Sequence, residues 1–174
     1  MKFPNPAKRF LEILVSLVAL ACWSQAGAQI LGSAPLNVER RAHTATRLAD
    51  GRVLIIGGEN ATGPLRQAEI FDPNSQTFSV GANSAARTDH AATLLADGRV
   101  LVTGGRDSFS PLDSTEIFDP VTNSFSPGAA MQRARSGHSA TVLTDGKIVL
   151  AGGDAEGSAE LYDPKTKSFS VLSA

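Results

Sequence analysis

The sequence predicts an all-β fold built from three units of one kind. Two blocks of residues each recur three times, in the same order and at nearly constant spacing. Short apolar runs alternate with turn signals in every unit, and no run after residue 28 combines a helical period with helix caps. The 174 residues are 42% hydrophobic and 19% charged, which is ordinary for a globular protein and argues against disorder.

The first block of each unit runs from an arginine to a pair of glycines. It reads RRAHTATRLADGRVLIIGG at residues 40–58, RTDHAATLLADGRVLVTGG at 87–105 and RSGHSATVLTDGKIVLAGG at 135–153. We expect two strands in it, at residues 44–48 and 53–56 of the first unit. A tight Asp-Gly turn joins them, because Asp-Gly accommodates the positive φ angles of a type I′ turn. The glycine pair is typical of a place where neighbouring backbones approach too closely for a side chain.

The second block supplies two more strands. It reads AEIFDPNSQTFSV from residue 68, TEIFDPVTNSFSP from 115 and AELYDPKTKSFSV from 159. Proline fixes φ and aspartate hydrogen-bonds forward, so the Asp-Pro step predicts a turn between strands at 69–71 and 77–80. Two aromatic residues per unit are expected to pack between sheets: Phe71 with Phe78, Phe118 with Phe125, and Tyr162 with Phe169.

A repeated four-stranded sheet of roughly 48 residues has the size of a β-propeller blade. The order R-x-x-H, D-G, G-G, E-[IL]-[FY]-D-P and [TS]-F-S resembles the Kelch repeat, in the form found in secreted bacterial proteins. The resemblance covers residues 40–171 and implies a lead-in followed by three Kelch units. The boundaries are 29–39 for the lead-in and 40–86, 87–134 and 135–174 for the units.

Three blades predict an incomplete ring, because propellers typically close with about 4 to 8 blades. The open faces of the first and last blades would promote association. Three outcomes stay open: a fragment of a longer protein, a homo-oligomer such as two sets of three blades, or a half-ring of low stability. The fragment is favoured, since the third unit stops a few residues after its fourth strand.

Residues 1–28 have the pattern of a secretory signal peptide. Lys2, Lys8 and Arg9 precede an apolar run at 13–22 and an A-x-A site that ends at Ala28. The run is shorter than the roughly 20 residues of a membrane span. We therefore expect a secreted, periplasmic or cell-surface protein. Lipoprotein processing at Cys22 is the less favoured alternative, because the residue three positions earlier is a poor match to a lipobox.

Cleavage near Ala28 would leave a chain without cysteine. It would also remove three of the 16 basic and one of the 17 acidic residues, leaving thirteen against sixteen. This balance gives no electrostatic attraction to nucleic acid or to an anionic membrane.

Recognition is expected at the end of each blade that carries the second-to-third loops and the connections between blades, because these vary in length and sequence. The resemblance implies a basic ring of arginines there, as in Kelch propellers that bind acidic peptides, and hence a protein or small anionic ligand. The candidate binding residues are Arg40, Arg87, Arg135, Arg66, Arg106 and Phe109. The alternative is that the first three pair with Glu69, Glu116 and Glu160.

The sequence predicts no catalytic residues, metal or cofactor. His43, His90 and His138 lie in three different blades, so we expect them to pack and hydrogen-bond and not to share an ion. Copper-radical chemistry like that of galactose oxidase needs a cysteine and more tyrosine than Tyr162 alone. The prediction is a non-enzymatic Kelch binding protein. The alternative is a fragment of a larger Kelch enzyme, such as a sugar epimerase, or of a surface protein.

Overall fold

The computed structural model describes residues 35–172, and all regular structure in that range is β-strand. The strands form three four-stranded antiparallel sheets, one for each sequence repeat, and one two-stranded hairpin. The predicted all-β fold of three four-stranded units is confirmed. The predicted signal peptide, Cys22 and the first part of the lead-in lie outside the described residues.

We call the three sheets blade 1, blade 2 and blade 3. Blade 1 consists of β1 (Thr44–Arg47), β2 (Val53–Ile56), β5 (Gln67–Asp72) and β6 (Thr77–Asn83), with the hairpin β3 (Glu59–Asn60) and β4 (Gly63–Pro64) between β2 and β5. Blade 2 consists of β7 (Ala91–Leu94), β8 (Val100–Thr103), β9 (Thr115–Asp119) and β10 (Ser124–Pro127). Blade 3 consists of β11 (Ser139–Val142), β12 (Ile148–Ala151), β13 (Ala159–Asp163) and β14 (Ser168–Leu172). Strands pair in chain order within every blade.

The Asp-Gly turns are three-residue loops, so the type I′ prediction is wrong. The Leu48 amide donates to the Arg52 carbonyl at 2.8 Å, which leaves Ala49, Asp50 and Gly51 as the loop. Gly51 has a φ of 91°, whereas Asp50 is not among the residues with positive φ. A type I′ turn needs positive φ at both central residues. The geometry is that of a type I turn followed by a left-handed glycine.

The Asp-Pro turns have the predicted hydrogen bonds. In blade 1 the Asp72 carboxylate accepts the amide of Asn74 at 2.8 Å, and the Asp72 carbonyl accepts the amide of Gln76 at 2.8 Å. The aromatic residues pair across adjacent strands, with ring centroids 4.9 Å apart for Phe71 and Phe78. The predicted packing between sheets is confirmed for the pairs of blades 2 and 3, whereas Phe71 and Phe78 belong to neither inter-blade cluster. The equivalent pairs in blades 2 and 3 are 5.0 and 4.7 Å apart.

The blades stack face to face, and an apolar cluster fills each gap. Blade 2 contributes to both clusters, because alternate residues of a strand point to opposite sides of its sheet. Val100 and Val102 pack toward blade 1, and Leu101 packs toward blade 3. We call the side of a blade that meets the preceding blade its leading face, and the other side its trailing face.

Candidate binding face

The arginine of each R-x-x-H segment is buried within its own blade. The side chains of Arg40, Arg87 and Arg135 are 0% exposed. Their partners are Glu69, Glu116 and Glu160, in that order, at N–O distances of 2.7, 3.0 and 2.8 Å. The structure therefore has the ion pairs that the sequence left as the alternative, and each pair lies within one blade.

Besides its ion pair, Arg87 donates hydrogen bonds to backbone carbonyls of its own blade. Its Nη1 donates to the carbonyls of Gly104 at 2.6 Å and Ser114 at 3.2 Å. The Glu116 carboxylate also accepts the amide of Ala85 at 3.0 Å, from the connection between blades. Burial lowers the pKa of Arg87, and the charge of Glu116 opposes that effect. The arginine thus joins the connection, the glycine pair and the third strand of one blade, and its side chain has no exposed surface to offer a ligand.

In blade 1 the equivalent arginine–glutamate pair holds the lead-in. The Glu69 carboxylate accepts the amides of Asn37 at 2.7 Å and Val38 at 3.1 Å, besides its bond to Arg40. Desolvation by burial raises the pKa of Glu69, but these hydrogen bonds together outweigh it and hold the pKa below its ordinary value. The carboxylate stays ionised and fixes the chain as it enters the blade.

The histidines of blades 2 and 3 link neighbouring blades. His90 Nε2 lies 2.8 Å from Thr44 Oγ1 of blade 1, and His138 Nε2 lies 2.8 Å from Thr103 Oγ1 of blade 2. Desolvation by burial lowers the pKa of His90 to about 3 and that of His138 to about 4. Both rings are therefore neutral near pH 7, and the predicted packing and hydrogen-bonding role is confirmed for them. His43 is exposed.

The hydroxyl that lies against the histidine of the next blade comes from a different strand in blade 1 than in blade 2. In blade 1 it belongs to Thr44 of the first strand, which pairs with Ile56. In blade 2 it belongs to Thr103 of the second strand, which pairs with Ala91. Each of these cross-strand pairs supplies one hydroxyl to the next blade.

The β8–β9 loop of blade 2 presents an aromatic side chain to solvent. Asp107 Oδ1 accepts the amides of Phe109 and Ser110, both at 2.8 Å, so the tip is closed by its own hydrogen bonds. Backbone bonds of 3.0 and 2.9 Å tie Arg106 to Thr88 at the base of the loop. Phe109 is 93% exposed, and Arg106 is exposed beside it.

The β2–β5 loop of blade 1 lies next to this loop. A Cβ placed on Gly63 of the hairpin would lie 3.9 Å from Ser108 Oγ. Arg41 pairs with Glu59 at 2.9 Å beside a cleft of about 390 Å³. Arg66 is exposed where the loop enters β5. We call the surface of residues 59–66 and 106–114 the loop face. Arg66, Arg106 and Phe109 are exposed on its two loops, whereas the side chains of Arg40, Arg87 and Arg135 are buried.

The sequence pattern did not predict the β3–β4 hairpin in this face. Its turn is closed by the Thr62 amide, which donates to Asn60 Oδ1 at 2.8 Å. An asparagine two residues before a threonine and three before a glycine is a turn signal that could have found it.

No group of three or more histidine, cysteine, aspartate or glutamate residues within 35–172 is arranged to hold a metal ion. In the same range, no helix has the length and apolar character of a membrane span.

Two of the three sequence units match a known protein family. The family model of the Kelch motif matches residues 40–84 and 87–132. Each match begins at a buried arginine and covers the four paired strands of one blade, and the two together span just over half of the 174 residues. No curated protein matches the chain.

Proposed function

Because this chain belongs to the Kelch-repeat family, whose repeats generally mediate protein interactions, we propose that it is a binding protein that recognises a protein partner through its loop face. The observation that carries the proposal is Phe109, which is 93% exposed on a loop closed by its own hydrogen bonds. Aromatic side chains are frequent energetic centres of protein interfaces. A preformed loop also lowers the entropy lost on binding.

The two exposed arginines of the loop face can bind a carboxylate of the partner next to an apolar side chain that contacts Phe109, and Asp107 Oδ1 is already occupied by amides of its own loop. Arg66 and Arg106 are exposed on the loop face, and a guanidinium can bind a carboxylate in a bidentate manner. Arg40, Arg87 and Arg135 are committed to buried ion pairs. These three arginines stabilise the blades that carry the loop face. We therefore assign ligand binding to the two exposed arginines, Arg66 and Arg106.

Kelch repeats are typically non-catalytic binding modules, and we propose that this chain follows that pattern. Its buried arginine, glutamate and histidine side chains have structural partners: the arginines and glutamates pair within blades, and His90 and His138 lie within hydrogen-bond distance of threonines in the preceding blade.

Peptide display tests the binding proposal. The chain is used to select from a random peptide library, and the selected peptides are then measured against three variants. Phe109→Ala and Arg106→Ala should each weaken binding by about tenfold or more, which corresponds to the loss of one good interface contact. Val121→Ala is the matched control, because Val121 is 91% exposed in the same blade but lies in the Asp-Pro turn at the opposite end. Equal losses for Phe109→Ala and Val121→Ala, or selected peptides without acidic residues, would contradict the proposed site.

We also propose that the protein is exported, on the pattern of residues 1–28. N-terminal sequencing of the protein recovered outside the cytoplasm should begin at Gln29. A chain that begins at Cys22 and carries lipid would support lipoprotein processing in its place, and a chain retained in the cytoplasm with residues 1–28 attached would contradict export.

A further inference from the structure

The trailing face of blade 3 repeats the features with which blades 1 and 2 receive the next blade. A Cβ placed on Gly57 of blade 1 would lie 2.4 Å from the Arg87 carbonyl oxygen, and one on Gly104 of blade 2 would lie 2.4 Å from the Arg135 carbonyl oxygen. At Gly152, the equivalent residue of blade 3, such a Cβ would meet nothing within 4 Å. Blade 3 therefore has, at Gly152, the glycine that in blades 1 and 2 allows the arginine carbonyl of the next blade to approach, and the space in front of it is open.

The neighbouring backbone and hydroxyl groups follow the same pattern. The second glycine of each pair donates its amide to the arginine carbonyl of the next blade, at 2.9 Å from Gly58 and 2.9 Å from Gly105. Gly153, at this position of blade 3, is exposed. Ser139 pairs with Ala151 and is also exposed, so it offers the one hydroxyl that a histidine of a following blade would meet.

The apolar surface is repeated as well. Leu48 and Leu95 occupy one position on the trailing faces of blades 1 and 2, where they are 2% and 7% exposed. Leu143 occupies this position in blade 3 and is 40% exposed. A following blade would remove this leucine from water, which favours association because apolar surface is buried.

Blade 1 carries the complementary half on its leading face. His43 is exposed there, whereas His90 and His138 are 6% and 8% exposed in the internal interfaces. Val53 and Phe71 occupy the positions at which blade 2 places Val100 and Phe118 against blade 1, and both are half-buried.

The tips of the connections add a third matching element. Asp89 donates its amide to the Ala42 carbonyl at 3.3 Å, and Gly137 donates its amide to the Asp89 carbonyl at 2.8 Å. All three residues have positive φ, at 53° for Ala42, 52° for Asp89 and 69° for Gly137. The Ala42 amide of a further chain can continue this series at the Gly137 carbonyl.

We infer that the trailing face of blade 3 binds the leading face of blade 1 from a second copy of this chain. The same contact made twice joins two chains head to tail into a ring of six blades, with a two-fold axis that coincides with the central axis of the ring. Six lies within the typical range of about 4 to 8 blades, and closed cyclic dimers are the commonest homo-oligomers. A second copy is the occupant that the structure favours, because the chain carries both halves of an interface that it already forms twice internally.

The mass of the full chain in solution is the first test. For the chain with residues 1–28 still attached, native mass spectrometry or sedimentation should give about 36 kDa, twice the chain mass of 18.1 kDa. For the chain that begins at Gln29, it should likewise give twice the mass of the cleaved chain. A folded wild-type monomer at micromolar concentration would overturn the inference, and would assign the face to a Kelch unit of another polypeptide. A species of three or more chains would also overturn it.

Two matched glycine variants test the interface itself. Gly152→Asn places a Cβ where Arg40 of the second copy would approach, and it should raise the dimer dissociation constant at least about tenfold. Gly146→Asn is the control, because Gly146 has a similar φ, 85° against 71°, and equally open space, but lies in the Asp-Gly turn at the far end of blade 3. Asparagine is the side chain that best tolerates this backbone region. Equal effects of the two variants on dissociation would overturn the proposed interface, and circular dichroism of each variant verifies that it is folded.

Discussion

At the scale of single residues, the repeated arginine serves the framework of the blade. Its guanidinium binds a glutamate of the third strand and the first carbonyl of the glycine pair, as Arg87 does with Glu116 and Gly104. The sequence showed the recurrence of arginine and glutamate but could not decide between an ion pair and a ligand site. That decision depends on burial, which is set by contacts between residues 29 positions apart in the chain, Arg87 in the connection before β7 and Glu116 in β9.

Replacement of Arg87 by alanine should destabilise the protein by about 3–5 kcal/mol, because Glu116 would remain largely buried without its counter-charge. Arg99→Ala is the matched control in the same blade. Arg99 pairs with Asp97 at 2.6 Å, but the two side chains are 35% and 49% exposed, so its loss should cost less than about 1 kcal/mol. Urea denaturation of both variants gives the comparison, and similar losses would contradict the framework role.

At the scale of elements, the blade was predictable and its edges were not. Alternating apolar runs and turn residues placed all four strands of blade 1. However, β5 and β6 extend beyond the predicted residues, to Gln67 and Asn83, through an irregularity in register between Gln67 and Glu69. Strand ends depend on cross-strand hydrogen bonds that no local pattern encodes. The type of the Asp-Gly turn was missed for a related reason, since a three-residue loop and a two-residue loop can share the same two letters.

At the scale of the whole molecule, the array depends on interfaces between blades that combine apolar clusters with one neutral histidine each. Neither partner of a histidine could be read from the sequence, because Thr44 and Thr103 occupy different strands. The residues of the candidate face were partly predictable. Exposed Arg66, Arg106 and Phe109 lie in the variable loops that composition and spacing indicated, whereas the burial of the repeated arginines required the fold.

The buried histidines predict a loss of stability in mild acid. The folded pKa values of His90 and His138 are lowered from 6.5 to about 3 and about 4, so the unfolded chain takes up protons first as the pH falls. The contribution of the neutral histidines to the free energy of unfolding is complete above about pH 6.5. It declines as the pH falls from there toward the folded pKa values. At about pH 5 each histidine should cost about 2 kcal/mol of unfolding free energy.

Denaturation at about pH 7 and about pH 5 measures this loss. The double variant His90→Gln and His138→Gln should show a smaller difference between the two conditions, since glutamine does not titrate and can still hydrogen-bond the threonine. The paired aspartates, such as Asp50 and Asp97, have pKa values lowered by hydrogen bonds from Arg52 and Arg99, so their stabilising effect is present in both conditions and is lost only at more acidic pH. An equal loss in the wild type and the double variant would assign the acid sensitivity to other groups.

The hydroxyl that changes strand has a consequence for the engineering and divergence of this array. At these two positions the three units have no residue in common: Thr44, Ala91 and Ser139 occupy one position, and Ile56, Thr103 and Ala151 occupy its cross-strand partner. What the units share is one hydroxyl for each pair, so the two sites are epistatic and a loss at one is compensated at the other. A designed unit in which each position is chosen independently could have alanine at both positions, as at Ala91 and Ala151, and would then offer the histidine no hydroxyl. It could also have threonine at both positions, as at Thr44 and Thr103, and would then offer two.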